Sequence, residues 1–337
     1  MKRSIGLFAG IAVAGALLAF SATAQPIAEF YHGKQINIYI GFAPGGGYDL
    51  YGRLVARHID RYVPGRPQVV PRNMPGAGGL SVVNYLYHVA PKDGTALGVA
   101  SDGLVLEQML GGKGVDYDAT GLNWIGRVAS VNSVFFTWHS SGIQTFEDAR
   151  KRETAVGIAG AGITVYMSKA LKKLAGAQFK LISGFRGSRE VLLAIERGEV
   201  DGGYTLWSSL KNDDWLRANK VNIIFFGADK RLPDRPDVPV AAELGETKEA
   251  QQILQLLSAG EARIGRAVFA GPGVPDERVG TLRRAFARMM KDESFKADIQ
   301  KVQLDFDPLT GEELQRIVAE LLDSPKGLVA KARETLE

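Results

Sequence analysis

No cysteine occurs anywhere in the chain, which excludes disulfides, thiolate metal sites, a cysteine nucleophile and a lipid attachment site on sulfur. Histidine is scarce: His32, His58, His88 and His139 are the only four, and they show no metal-binding spacing. No Gly-x-Ser-x-Gly elbow, P-loop or Rossmann Gly-x-Gly-x-x-Gly follows a strand-like run. An excess of one charge is lacking as well. The chain carries +4 overall, with 23% charged residues of mixed sign, and has no basic tract of the kind that neutralises a row of phosphates. Nucleic acid is therefore not an expected partner, and neither a metal nor a cofactor is expected. Low-complexity segments and short-period repeats are absent too. Paired acids such as Asp116 with Asp118, or Asp213 with Asp214, sit in polar, loop-like contexts and read as solvated charges rather than a general acid and base. The expectation is a protein that binds without catalysing.

An apolar run from Ile5 to Phe20 follows Lys2 and Arg3 and precedes the small-x-small site Ala22-Thr23-Ala24. This pattern predicts a secretory signal peptide over residues 1–24, cleaved after Ala24, and hence a periplasmic location. The run is marginal in length for a bilayer span and contains Gly6, Gly10 and Gly15, which argues against a membrane anchor. With 45% hydrophobic residues, the remainder can build real cores, and its length suits two domains.

What the chain does have is glycine in particular places. Gly-rich turns fall at Pro44-Gly45-Gly46-Gly47-Tyr48-Asp49, Pro75-Gly76-Ala77-Gly78-Gly79, Gly160-Ala161-Gly162-Ile163-Thr164 and Gly184-Phe185-Arg186-Gly187-Ser188. Each lies where a strand-like run gives way to a helix-like one. Such a turn exposes backbone N–H groups at a helix N-terminus, where the macrodipole also favours negative charge, so each is a potential anion seat.

The alternation Ile36, Ile38, Ile40 predicts a strand, and Leu50, Leu54, Val55, Ile59 and Tyr62 recur at helical spacing after the first turn. The βα pattern repeats through Val69-Val70, the second turn and Leu80, Val83 and Tyr87, then through a third strand from Ala96 to Ala100. A strand-like stretch from Trp124 to Trp138 marks a crossover into a second βα domain, and Pro233, Pro236 and Pro239 mark the return. The expected fold class is α/β, with two lobes, each an open, mostly parallel sheet flanked by helices. The first lobe is expected over 25–130 plus 229–337 and the second over 131–228, with a ligand cleft between them.

From Ile36 onward the chain resembles the Bug, or TctC-like, family of periplasmic solute-binding proteins. The resemblance rests on Phe42-Ala43-Pro44-Gly45-Gly46-Gly47-Tyr48-Asp49 with Arg53, on Arg72-Asn73-Met74-Pro75-Gly76-Ala77-Gly78-Gly79, and on Pro91-Lys92-Asp93-Gly94-Thr95-Ala96-Leu97. Gly187-Ser188, Gly198-Glu199-Val200-Asp201, Arg231-Leu232-Pro233-Asp234 and Asp237-Val238-Pro239 continue it. No single element is specific; their order and spacing are. The resemblance implies a type II periplasmic binding fold in which backbone amides and ordered water at the first two turns grip the carboxylate of a small organic acid. It also implies delivery to the membrane subunits of a tripartite tricarboxylate transporter. An alternative is docking of the liganded protein on the extracytoplasmic domain of a sensor kinase, and a weaker one is an exported α/β enzyme. A monomer is expected.

Carried onto this sequence, the ligand-binding residues are Gly45, Gly46, Gly47, Tyr48 and Asp49, with Gly76, Ala77, Gly78 and Gly79, from the first lobe. Gly162, Ile163, Thr164, Arg186, Gly187, Ser188 and Tyr204 face them from the second. Charge-assisted hydrogen bonds each contribute about 1.5 to 3 kcal/mol, so a few preorganised amides suffice for roughly micromolar affinity. Tyr48 stands where the family has a small hydroxyl residue, Ile163 where a Ser-rich turn is usual, and Gly184-Phe185-Arg186-Gly187 where Pro-Tyr-Lys-Gly is usual. These departures predict a carboxylate with a larger or more apolar body than a short dicarboxylate, walled by Tyr48 and by Tyr204 or Trp207. Structural roles compete at several positions. Asp49 reads best as a helix cap or turn brace, Asn73 as a loop-orienting amide and Arg186 as a partner of Glu190. Thr164 reads equally as a cap and as a ligand contact, and for Tyr204 and Trp207 a place in the core weighs at least as much as ligand contact.

Overall fold

Ile36, Ile38 and Ile40 are fully buried, and the residues between them are only half-buried, the period-2 pattern of a strand with one deeply covered face. A computed structural model of the protein describes residues 26–159, 163–185, 188–211 and 213–337. The expected signal peptide lies outside the described residues. Along the chain the strands are β1 (Gln35–Ile40), β2 (Gln68–Asn73), β3 (Ala96–Val99), β4 (Asn123–Arg127), β5 (Ser133–Trp138), β6 (Thr154–Ala159), β7 (Phe179–Phe185), β8 (Gly202–Leu206), β9 (Val221–Gly227), β10 (Ala267–Ala270) and β11 (Leu309–Thr310).

These strands form two sheets, in the orders β11-β4-β10-β3-β1-β2 and β7-β6-β8-β5-β9. β1 pairs in parallel with β2 and β3, and β6 with β7 and β8, through the helical crossovers that parallel pairing requires. β10 and β5 instead run against both of their neighbours, so each sheet is mixed. The reason is topological. Each is the first strand entered after a crossing between sheets, so it starts at the cleft edge, where its parallel neighbours end.

The crossings lie side by side. Val128 N–H donates to Arg266 O at 2.9 Å, and Arg266 N–H donates to Ala129 O at 2.8 Å. The outgoing segment after β4 and the returning segment before β10 are thus a short paired ribbon, the natural hinge. The returning segment is preceded by the helix Lys248–Ile264, whose Thr247 side chain caps it by accepting from Ala250 N–H. Its buried Leu254 and Leu257 join Trp124 and Phe269 of the first sheet and Phe135, Phe179 and Phe225 of the second in one apolar cluster. The last helix, Lys326–Leu336, also touches both lobes. Lys169 and Lys173, on the helix Ile163–Leu174, donate to its carbonyls at Leu336 and Glu334, while its own Arg333 donates to Met109 O on the helix Leu104–Leu110.

Candidate functional site

The loops that follow β1, β2 and β3 meet at one corner of the first lobe. A Cβ at Gly41 would lie 2.7 Å from the Cα of Gly79, and one at Gly79 would lie 3.0 Å from the Ser101 N. Only bare backbone allows this approach, and Gly79 also holds φ at 96°, open mainly to glycine. Ala77 adopts φ 45° in the same turn without being glycine, the kind of local strain that clusters at binding sites. The first ladder bond of the helix Gly47–Ile59 runs from Leu50 N–H to Gly46 O. The amides of Gly47, Tyr48 and Asp49 therefore precede the ladder and carry the positive end of the helix dipole.

Asp49 braces this turn from behind. Its carboxylate accepts from Gly45 N–H at 2.9 Å, from Asn73 Nδ2 at 2.7 Å and from Arg53 Nε at 2.8 Å. Asn73 in turn donates to Phe42 O and accepts from Arg53. Burial alone would raise the Asp49 carboxyl, but the hydrogen bonds from Arg53, Asn73 and Gly45 outweigh it and hold the group below its ordinary value. Asp49 is fully engaged inside the first lobe, and Asn73 links the first and second turns.

Tyr48 belongs to a second network. Its ring is stacked on Phe42 at 4.1 Å and covered on the other face by the Arg266 guanidinium at 4.0 Å, and its hydroxyl accepts from Asp102 N–H at 3.2 Å. With both faces occupied, the ring is a brace and not an open wall for a solute. Arg266 Nη1 donates to Asp102 Oδ2 at 2.8 Å, with both side chains only 6% exposed. Glu261, on the helix Lys248–Ile264, shares the field of this pair. Burial and the neighbouring Asp102 carboxylate push its carboxyl well above the ordinary range, against the opposing pull of Arg266. Between its unfolded value, about 4.5, and this raised value the folded protein holds a proton that the unfolded chain releases. Stability is therefore lost as pH rises through that window. Glu261→Gln is expected to flatten the fall of melting temperature with pH and to make the protein more stable than wild type above the window; an unchanged pH profile would show that Glu261 ionises normally.

In the second lobe, Ile163 and Thr164 open the helix Ile163–Leu174, and Thr164 O accepts from Ser168 Oγ, which also meets the Tyr204 hydroxyl at 2.9 Å. Tyr204 packs on Phe135 and Phe225 in the core. Ile163, Thr164 and Tyr204 come together with Ser133, Ser258 and Glu261 around a recess of about 10 Å³. Trp207 is buried and donates its indole N–H to Asp234. Ser188 begins the helix Ser188–Glu196. Gly162, Arg186 and Gly187 lie outside the described residues.

A cavity of about 350 Å³ lies between the lobes. Gly47, Leu50, Tyr51 and residues 302–305 line it from the first lobe, Leu206, Ser208 and Ser209 from the second, and Ser130, Val131, Asn132 and Arg266 from the hinge. Gly47 thus joins the first turn to the cavity, while Gly76, Ala77, Gly78 and Gly79 do not line it, and Gly79 packs against Gly41 and Ser101. Lys211 Nζ reaches across to Asp305 Oδ1 at 2.9 Å, an ion pair between lobes. A larger hollow of about 720 Å³ runs along the outer side of the helix Lys248–Ile264, but its Arg231–Glu243 and Arg263–Glu320 pairs are mutually satisfied and no glycine turn reaches it. Among the described residues, no group of His, Asp and Glu is placed to hold a metal ion.

Arg266, Asp102, Glu261 and the cavity residues Asn132, Ser208 and Ser209 are absent from the sequence reading. A lone arginine at the mouth of the apolar run Ala267–Ala270 and an aspartate just past β3 are the local marks of the first two, and neither records that they pair.

No protein-family model matches the chain. The chain is similar, at 24% identity over 335 residues covering 96% of it and 95% of the relative, to "UPF0065 protein in gbd 5'region" of Cupriavidus necator. Among solved structures, a TctC solute-binding protein from Polaromonas superposes with a TM-score of 0.65 at 18% identity, covering 88% of this chain and 98% of its own. A Rhodopseudomonas palustris protein solved with adipate also gives a TM-score of 0.65, at 19% identity, covering 89% of this chain and 97% of its own. The sheet orders, the paired crossings and these likenesses agree: the chain has the two-lobed fold of the TctC/Bug solute-binding proteins, the family its glycine turns resemble.

Proposed function

We propose that this protein is exported to the periplasm, captures a small organic carboxylate between its lobes without transforming it, and presents it to a membrane transporter. One observation carries the reading: the amide-bearing start of the helix Gly47–Ile59 and the buried Arg266 guanidinium border the same inter-lobe cavity. Backbone donors at the positive end of a helix dipole favour an anion there, while Arg266, already paired with Asp102, holds the wall and offers no unspent charge. Residues 1–24 supply the export signal, and among the described residues no helix is long and apolar enough to cross a membrane. Neighbours of this fold include a protein solved with adipate, which supports a carboxylate solute.

Capture works by shifting a population. Contacts from Ser208 and Ser209 exist only when the lobes are together, so a solute that touches both sides favours the closed form by its differential affinity. Small molecules released from gently purified, then denatured, protein and identified by mass spectrometry are expected to include a carboxylate, and adding it back is expected to raise the melting temperature. A protein that no carboxylate in a broad panel stabilises would refute the reading.

A further inference from the structure

The charges on the inter-lobe cavity are already spent. Of the described side chains that line it, only Arg266 and Asp305 are charged, and each has a partner outside the cavity, Asp102 for the first and Lys211 for the second. Ser130, Asn132 and Ser209, whose side chains hydrogen-bond to no described residue, form the polar stretch of its wall, and Leu50, Leu206 and Val302 add apolar surface to the same lining. Leu50 and Val302 are among the few large apolar side chains left exposed. Gln303, beside Val302, holds φ at 55° as the left-handed residue that ends the helix Glu293–Lys301, with Leu304 N–H donating back to Ile299 O.

A second carboxylate placed against this wall would lose its water and find hydroxyl and amide groups but, among the described residues, no unpaired cation. That desolvation is costly unless a counter-charge or several donors replace the water. A hydroxyl group makes both its donor and its acceptor bonds with Ser130, Asn132 and Ser209 at no such cost. Resting on the carboxylate reading above, we propose that the solute is a monocarboxylate whose far end is uncharged and carries a hydroxyl group, held by Ser130, Asn132 and Ser209 across a short apolar stem. This class differs from the adipate with which the structural neighbour was solved.

Matched pairs of equal length test this on the intact protein by isothermal titration: 4-hydroxybutyrate against succinate, 5-hydroxypentanoate against glutarate, and 6-hydroxyhexanoate against adipate. In at least one pair the hydroxy acid is expected to bind tenfold or more tightly than the dicarboxylate, and in no pair is the order reversed. Ser209→Ala is expected to weaken that hydroxy acid several-fold while leaving the unsubstituted monocarboxylate of the same length unchanged. Ser209→Lys, which brings a cation to the wall, is expected to reverse the preference toward the dicarboxylate. Equal or tighter binding of the dicarboxylates by wild type overturns the proposal and leaves the carboxylate reading standing. So does failure of all six compounds while another carboxylate binds. Failure of every carboxylate overturns both.

Discussion

Arg266→Met is expected to cost the protein about 3 to 5 kcal/mol of stability, the usual penalty for removing one partner of a buried ion pair. The substitution keeps most of the side-chain volume, so the loss is electrostatic. Asp102, whose carboxyl is already pushed up by burial, would be left at 6% exposure with no cation, next to a Glu261 that already resists ionisation. The Tyr48 ring would lose the guanidinium from one face, and with it a cation–π contact of about 1 to 2 kcal/mol when desolvated. Urea unfolding gives the measurement. The double variant Asp102→Leu with Arg266→Met separates causes: an apolar pair of similar volume is expected to recover much of the loss, because the cost lies in the orphaned charge. A single-variant loss below about 1 kcal/mol would mean that water enters and solvates Asp102, and that the pair is in effect a surface bridge.

Gly41→Ala is the other large effect. The added methyl would stand 2.7 Å from the Gly79 Cα, a backbone atom that cannot swing aside, so the first two turns must part. Overpacking of this kind costs about 1 to 3 kcal/mol, and because the turns move, solute affinity is expected to fall more than stability does. Gly46→Ala is the control. Gly46 has extended backbone angles, φ −84° and ψ 170°, and a Cβ there meets only the Ala43 O, at 4.0 Å. Its melting temperature should stay near wild type. If Gly41→Ala melts normally and binds its solute normally, the close approach of the turns has no part in the site.

Much of the fold was legible because it is written in local periodicity. Ile36, Ile38 and Ile40 mark β1, and Leu54, Val55 and Ile59 mark the helix after it, with no knowledge of what packs against them. The glycine turns were legible for the same reason: no other residue suits a strand end that must touch its neighbour's backbone. The stretch from Trp124 to Trp138 reads as one strand-like run, yet the chain changes lobes inside it, at Ala129 to Asn132, since hydropathy does not record which sheet a strand joins. The helix Lys248–Ile264 goes unread in the sequence, although Thr247 and the spacing of Ala250, Ile253, Leu254 and Leu257 announce it. The Arg266–Asp102–Tyr48 network could not be read at all. Asp102 and Arg266 alone are separated by 164 positions, with Tyr48 further off still, and the three meet only when the hinge segment is laid beside the first lobe. The cavity has the same character, since Asn132, Ser209 and Gln303 are ordinary polar residues until three distant segments bring them to one wall.

β10 lies between β3 and β4 in the first sheet, and this fixes the order in which a growing chain can finish. When residues 26–127 have emerged, β3 and β4 still have no strand to join them, and their facing edges stay open until Ala267–Ala270 is made. The second sheet, by contrast, is contiguous from β5 to β9 and has every strand it needs some forty residues sooner on the order of ribosomal seconds. The half that holds the first two glycine turns is thus the last to set, and its sheet stays incomplete until Ala267–Ala270 has been synthesised.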